Sequence, residues 1–281
     1  MSFSSTPVSV IIPTYNRVGF LAQAIDSVFA QTYANFELIV VDDGSTDETQ
    51  ALLASYGKAL VSLRQENRGP AAARNAGIRG ARSPLLAFLD SDDLFTPNKL
   101  ALQVAAMEAQ PELLISHTQE TWFRNGRHLN QKKRHAKEGG DIFARSLALC
   151  VVGMSTVMAR RELFDRIGLF DESLPCCEDY ELWLRASLCH PFLLVDMPLT
   201  VKHGGRPDQV SVQFKTGMDR FRLRALEKLL AEAPLTREQF CLASAELVRK
   251  ATVYGQGCLK HGHREEGQRF LILAERYASS G

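Results

Sequence analysis

The chain has 281 residues, 45% of them hydrophobic, enough for one large domain or a domain with an appendage around a proper core. Its 33 basic and 32 acidic residues balance, so bulk charge points to neither nucleic acid nor an anionic membrane. The six cysteines lack metal-ligand spacing and fit reduced thiols better than a disulfide framework. Met1 to Pro7 has no signal-like segment, and no window approaches the ~18 apolar residues of a membrane helix. A cytoplasmic protein is expected, with any membrane association peripheral.

Val8 to Ile12 is a β-branched run that reads as a buried strand, stopped by Pro13-Thr14-Tyr15-Asn16. Apolar residues at Val18, Leu21, Ala22, Ile25, Val28 and Phe29 predict a helix between Arg17 and Gln31. Phe36 to Val41 reads as the second strand, ending in Asp42-Asp43-Gly44-Ser45. Ser45 and Glu48 fit a capping box for a helix to about Tyr56. Leu60 to Leu63 is a third strand, followed by Gln65-Glu66-Asn67-Arg68. Gly69-Pro70 opens a helix that carries Arg74 and Asn75. Leu85 to Leu89 is a fourth strand, and it runs into Asp90-Ser91-Asp92-Asp93. Thr96-Pro97 caps a helix to about Ala109.

Strands alternating with helices predict a parallel sheet with helices on its faces. In such sheets ligands bind outside the carboxyl ends of the strands, and all four polar clusters fall there. On strand alternation Asp90 and Asp92 point the same way. Carboxylates ~4 Å apart repel by roughly 4 kcal/mol at an effective dielectric of about 20, a cost that Mg²⁺ or Mn²⁺ would reverse. The competing reading of Asp-x-Asp alone is a polar turn. The chain has no G-x-G-x-x-G after a strand, no Walker A loop and no H-E-x-x-H, so a dinucleotide dehydrogenase or P-loop ATPase is unsupported.

Beyond Pro111, Leu113–Ile115 and Glu120–Phe123 read as strands, and 125–141 as a loop. Within it Lys132-Lys133-Arg134-His135 reads as a solvated basic cluster. Ile142 to Val152 reads as a helix, Gly153 to Ala159 as a strand and Arg161 to Ile167 as a short helix. A further helix begins near Glu178, whose first-turn carboxylates Glu178 and Asp179 suit the helix dipole. Two late strands, Leu193–Met197 and Leu199–His203, precede a flexible Gly204-Gly205-Arg206-Pro207. Three helices follow: one around Leu223 to Leu230, then Phe240 to Val253 and Glu265 to Tyr277, the last two separated by Gly255, Gly257 and Gly262. This tail reads as a helical appendage. The expected division is a main domain over 1–212 and a helical region over 213–281.

The segments Val8–Asn16, Val41–Asp47, Asn67–Asn75 and Asp90–Asp93 stand in the order found in family 2 glycosyltransferases, and together they resemble that family closely. The resemblance covers roughly three quarters of the chain and excludes the tail. It implies an α/β fold of GT-A type: a Rossmann-like, mainly parallel sheet flanked by helices. It also implies inverting transfer from a nucleotide sugar to a hydroxyl, in polysaccharide, lipopolysaccharide or glycoconjugate synthesis. By that resemblance Pro13, Thr14, Tyr15 and Asn16 line the nucleotide pocket. Asp42 accepts a hydrogen bond from the base, with Asp43 beside it, and Arg74 and Asn75 lie near the base or diphosphate. Asp90 and Ser91 meet the ribose or a metal-bound water. Asp92 ligates Mn²⁺ or Mg²⁺, and His203 holds the metal or the diphosphate. Asp179, after Glu178, is the catalytic base, and Gly153 and Trp183 border the acceptor site. The donor implied is a UDP-sugar, with deoxythymidine and guanosine forms as alternatives. The acceptor is a sugar, lipid-linked or other hydroxyl. For Trp183 a core position competes with the functional one, and for His203 a surface position does. Two other function classes are a catalytically silent nucleotide-sugar-binding or scaffold protein and a sugar nucleotidyltransferase. Intact Asp92 and Asp179 argue against the first. The second is expected to show a glycine- and lysine-rich loop that Val8 to Arg17 lacks.

Overall fold

Strand β1 (Val8–Thr14) is buried along its whole length and forms the centre of the molecule. A computed structural model describes residues 6–132, 135–214 and 216–278. Lys133 and Arg134 of the basic cluster, and Met1 to Ser5, lie outside them. β1 is followed by α1 (Val18–Phe29), β2 (Phe36–Asp42), α2 (Thr49–Ser55), β3 (Val61–Arg64), α3 (Gly69–Gly80) and β4 (Leu85–Phe88). These four strands pair in parallel in the order β3-β2-β1-β4. Every residue of β1 and β4 is buried, because helices cover both faces of the sheet. Gly77 lets α3 settle onto β1: a Cβ there would lie 2.4 Å from the Ile11 Cγ2 atom.

The second half of the sheet is mixed. It adds β5 (Leu94–Phe95), α4 (Lys99–Ala109), β6 (Ile115–Arg124), β7 (Arg127–Leu129), α5 (Phe143–Ala148), β8 (Met158–Arg160) and α6 (Arg161–Ile167). It closes with α7 (Glu178–Ser187) and β9 (Phe192–Gly204). The nine-stranded sheet runs β3-β2-β1-β4-β8-β6-β9-β5, with β7 on β6. β8 is antiparallel to both β4 and β6, whereas β9 is parallel to β6. Several sequence expectations change here. The two strands expected near 113 and 120 are one strand, β6. The two expected around Pro198 are also one, β9, whose register against β6 slips between Thr118 and Glu120. Proline has no N–H to donate, and a bulge accommodates it. The run from Gly153 is a 3₁₀ turn over Met154–Thr156 before the short β8. The Ser45–Glu48 capping box is absent, since the Ser45 hydroxyl instead accepts from the Asn16 backbone N–H at 2.9 Å.

The tail comprises α8 (Val210–Gln213), α9 (Met218–Glu232), α10 (Arg237–Lys260) and α11 (Arg264–Ala278). Gly255 lies inside α10. It brings α10 and α11 together, since a Cβ there would meet the Gly267 carbonyl at 2.9 Å. Thr236 and Gln239 form the capping box that starts α10. Leu223, Leu226, Leu247 and Phe270 share one apolar cluster with Phe143, Leu147, Tyr180 and Leu184. The tail therefore packs directly behind α7, and Lys250 donates to the Ala148 carbonyl at 2.9 Å. No helix among the described residues is long and apolar enough to cross a membrane.

Candidate active site

The strand ends β1, β2 and β4 open onto a cleft of about 1090 Å³. Pro13, Thr14, Tyr15 and Asn16 form one side, and Asn16 takes a left-handed backbone at φ 50°. Its side-chain oxygen accepts from Thr46 N–H at 2.7 Å, tying the β1 loop to the β2 loop. Asp43 lines the cleft and is held by the backbone N–H groups of Arg68 at 3.0 Å and Gly69 at 2.8 Å. Gly44 permits this approach, because a Cβ there would lie 2.9 Å from the Asn67 nitrogen. The Thr14 hydroxyl is buried and makes no hydrogen bond among the described residues.

Asp90, Ser91 and Asp92 line the floor of the same cleft. The chain leaves β4 at Phe88, so strand alternation no longer orients these carboxylates. A turn does so instead, closed by Asp93 N–H to the Asp90 carbonyl at 3.0 Å. Asp90 takes Arg74 at 2.8 Å, while Asp92 takes Arg17 at 3.0 Å, the Gln209 amide at 3.0 Å and Arg206. Burial opposes ionisation of Asp90 most strongly, but Arg74, Lys202 and Arg17 together outweigh it and hold the carboxyl below its usual range. Asp93 is buried deeper. Burial first, with Asp92 and Asp90 adding, pushes its carboxyl up despite the opposing charge of Lys202. The Ser155 hydroxyl donates to Asp93 at 2.6 Å.

Across the cleft, the first turn of α7 presents Glu178 and Asp179. Cys177 before them adopts φ 64°, a left-handed backbone that is uncommon for a side-chain-bearing residue. Glu178 pairs with Arg74 at 2.5 Å. Burial raises its carboxyl to about 7, and the neighbouring Asp179 adds to the rise while Arg74 opposes it. Arg74 thus clamps strand-end Asp90 to helix-start Glu178. Asp179 accepts a long contact from the Cys150 thiol at 3.4 Å. Burial and the Asp179 charge push that thiol up, so it is no activated thiolate.

Five expected site residues stand away from the wall of the main cleft. Asp42 is fully buried, accepting from Ser45 N–H at 2.8 Å and from Gln50. Asn75 is spent on the Phe170 backbone, donating to its carbonyl at 2.9 Å and accepting from its N–H at 3.0 Å. Trp183 is 1% exposed and packs edge-on against Phe192, a core position. Gly153 lies beside Glu120 and the Lys137 and Lys202 amines. His203 faces a smaller adjoining cavity of about 180 Å³, bordered also by Asp92, Arg206 and Phe20, and stacks on Phe123.

The structure adds groups that local patterning did not single out. Lys202 lines the main cleft one position before His203, and β-strand alternation sends the two side chains to different cavities. Its amine is held charged: burial works against the charge, but Glu120, Asp93, Asp90 and Asp179 more than compensate. Arg17 and Arg206 reach the floor. The stretch after Gly204, read as flexible, is tied across it by Arg206 on Asp92 and by a cation–π contact of Arg206 with Phe20 at 4.0 Å. Val210, Phe214, Met218 and Arg222 of the tail form the far wall. The tail thus reaches the site.

Residues 9–168 match the family model described as glycosyl transferase family 2. An uncharacterized glycosyltransferase of Rickettsia felis is 38% identical over 187 residues, covering 64% of this chain and 30% of that protein. An Escherichia coli protein described as UDP-Glc:alpha-D-GlcNAc-diphosphoundecaprenol beta-1,3-glucosyltransferase WfgD is 32% identical over 182 residues, 63% of this chain and 68% of that one. The chain therefore spans under a third of the length of the Rickettsia relative. Among solved structures, S. aureus TarS 1-349 in complex with UDP-GlcNAc superposes with TM-score 0.74 at 21% identity, covering 96% of this chain and 79% of that one. The mannosyltransferase PcManGT of Pyrobaculum calidifontis, in complex with GDP-Man and Mn²⁺, gives 0.59 at 19%, covering 95% and 85%. At such identities these two show a shared GT-A fold. By its family match, this chain belongs to glycosyl transferase family 2.

Proposed function

We propose that the protein transfers a sugar, with inversion, from a nucleoside diphosphate sugar to an acceptor hydroxyl, with Asp179 as general base. The observation that carries this is the pairing of walls. Asp179 at the helix start faces a floor of strand-end carboxylates already matched by Arg17, Arg74, Lys202 and Arg206. In the reaction the acceptor oxygen attacks the anomeric carbon and gives its proton to Asp179. The bond from that carbon to the diphosphate oxygen breaks, and its electron pair leaves with the nucleoside diphosphate. A positioned base of this kind contributes typically 10²–10⁴-fold. The basic side chains supply fixed positive charge where the diphosphate charge grows. The Thr14–Asn16 turn and Asp43 frame the nucleotide end, and the unpartnered Thr14 hydroxyl supports that placement. The donor proposed is a UDP-sugar, since TarS was solved with one.

Among the described residues no cluster of three or more His, Cys, Asp or Glu side chains can hold a metal ion. Asp92 and His203 do border one cavity, and a carboxylate with an imidazole fits Mn²⁺ or Mg²⁺ when phosphate and water fill the other positions. A cation held there would act as Lewis acid toward the departing phosphate. Arg17 and Arg206 address the same Asp92 carboxylate, so they would share or yield it. Calorimetry of UDP with and without Mn²⁺ on Asp92→Ala tests this: metal-dependent binding should disappear. The base is tested by Asp179→Asn, which should lose transfer and donor hydrolysis by at least about 10²-fold while UDP affinity stays within twofold. Near-normal turnover in that variant would remove Asp179 from the role.

A further inference from the structure

We propose that Glu120 is a positioning residue: across Gly153 it holds the Lys202 amine in the cleft where the diphosphate leaves, while Lys137 cancels the charge of Glu120 itself. The proposal rests on the transferase reading above and adds what places its cation. The sheet sets the arrangement. β6 pairs Glu120 with Thr200 and Trp122 with Lys202, so Glu120 and Lys202 share one face of β6 and β9. On the other edge of β9, β5 runs antiparallel with Leu94 opposite Val201, and Asp93 accepts from the His203 N–H at 3.2 Å. Lys202 therefore stands between the acidic turn after β4 and the Glu120 carboxylate. Gly153 leaves the space between them open. A Cβ there would lie 3.0 Å from Glu120 Oε2, 3.4 Å from Lys202 Nζ and 3.5 Å from Lys137 Nζ.

The two oxygens of Glu120 do different things. Lys137, 1% exposed, holds Oε1 at 3.3 Å and donates to the Thr156 hydroxyl at 3.3 Å. Oε2 is buried and makes no hydrogen bond among the described residues. A buried carboxylate oxygen left so is costly, and the nearby Lys202 ammonium offsets that cost. One carboxylate facing two ammoniums leaves one positive charge over. Lys137 is sealed whereas Lys202 lines the cleft, so the surplus is presented there. Asp93, Asp90 and Asp179 attract the same amine from the cleft side. Without the pull of Glu120 from behind, the amine would close onto one of them and neutralise the floor or the base. With it, the charge stays available to the diphosphate and is fixed in place before the reaction.

The test compares UDP with UMP by calorimetry on the full chain, with Mn²⁺ present throughout, since the two ligands differ by the phosphate that Lys202 would meet. Wild type should bind UDP at least about tenfold tighter than UMP, in line with a charge-assisted contact. Gly153→Ala keeps every charge and suits the backbone at φ −80° and ψ 135°, but its methyl would lie between Glu120 and Lys202. It should cut the UDP-to-UMP ratio at least about threefold while UMP affinity stays within about twofold, whereas general loosening would weaken both ligands. Lys202→Met should lower the ratio at least as far, and Gly153→Ala added to it should change nothing more, because both act on one contact. Glu120→Gln combined with Lys137→Met removes the pair without stranding a buried charge and should match Gly153→Ala. An unchanged ratio in Gly153→Ala or in Lys202→Met, or full additivity of the two, overturns the proposal. If wild type binds no UDP, the donor reading fails instead, and the side-chain ammonium NMR signal of Lys202 in the free protein decides this one. It should broaden through faster hydrogen exchange in the Glu120→Gln, Lys137→Met variant, and a signal that stays as sharp overturns the proposal.

Discussion

The two walls of the cleft are built in opposite ways. The strand-end wall is made of backbone: short loops after β1, β2 and β4, with side chains locked by N–H groups and by each other, as Asp43 is by Arg68 and Gly69. The tail wall is made of helix faces, and its position depends on the apolar cluster joining Leu223, Leu226 and Phe270 to Tyr180 and Leu184. A wall of loops on a buried parallel sheet is rigid because the sheet over-determines it. A wall of helices moves with whatever it packs on. Arg74 spans the difference, since it ties Asp90 on one side to Glu178 on the other.

Removing the tail tests the contrast most severely. A chain ending at residue 212 exposes the buried faces of Tyr180 and Leu184. It should lose its cooperative thermal transition, seen by circular dichroism, instead of surviving as a trimmed domain. Cutting the link between the walls is the next step down. Arg74→Ala leaves Asp90 and Glu178 without their shared cation, and breaking a buried pair of this kind costs about 3–5 kcal/mol, measurable by urea unfolding.

Titration sharpens the same point. Glu178 carries a folded-state pKa of about 7 against an ordinary 4.5, so the folded protein holds its proton more tightly than the unfolded chain. Its contribution to stability is complete below pH 4.5 and declines as pH rises through 7. By linkage the decline amounts to about 3 kcal/mol at most. Glu178→Gln cannot ionise and should flatten the stability curve across that window. An unchanged slope would mean that another group titrates there. The smallest effect belongs to the loop wall: Gly44→Ala forces a residue at φ 83° toward the Asn67 backbone and should cost about 1–3 kcal/mol, with weaker UDP binding by calorimetry.

Much of the strand-end wall was legible from the chain, for a physical reason. A buried strand needs an apolar run, and the run must stop where the backbone turns to water, so Thr14, Asp43 and Asp90 announce their place by following such runs. Glu178 and Asp179 were legible as the acidic first turn of a helix. Trp183 takes the core position that competed with its acceptor-site reading, and Asn75 is spent on the Phe170 backbone, because a helical residue's direction depends on what the helix packs against. Asp42 and Asp43 read together as nucleotide-site residues, and alternation at the end of β2 separates them: Asp43 lines the cleft and Asp42 is buried in the interior.

The apolar runs and their acidic stops alone determined the α/β class, the succession of the first four strands along the chain and the side of the sheet where ligands meet, because these depend on neighbours in the chain. Only the tertiary structure decided the partners. Arg206 meets Asp92 from 114 positions away, and Arg74 meets Glu178 from 104. It alone also decided that Lys202 belongs to the cleft and that Arg222 completes its far wall. Contacts at such separations are set by how helices and sheet close on one another, and that closure leaves no periodic trace in the residues themselves.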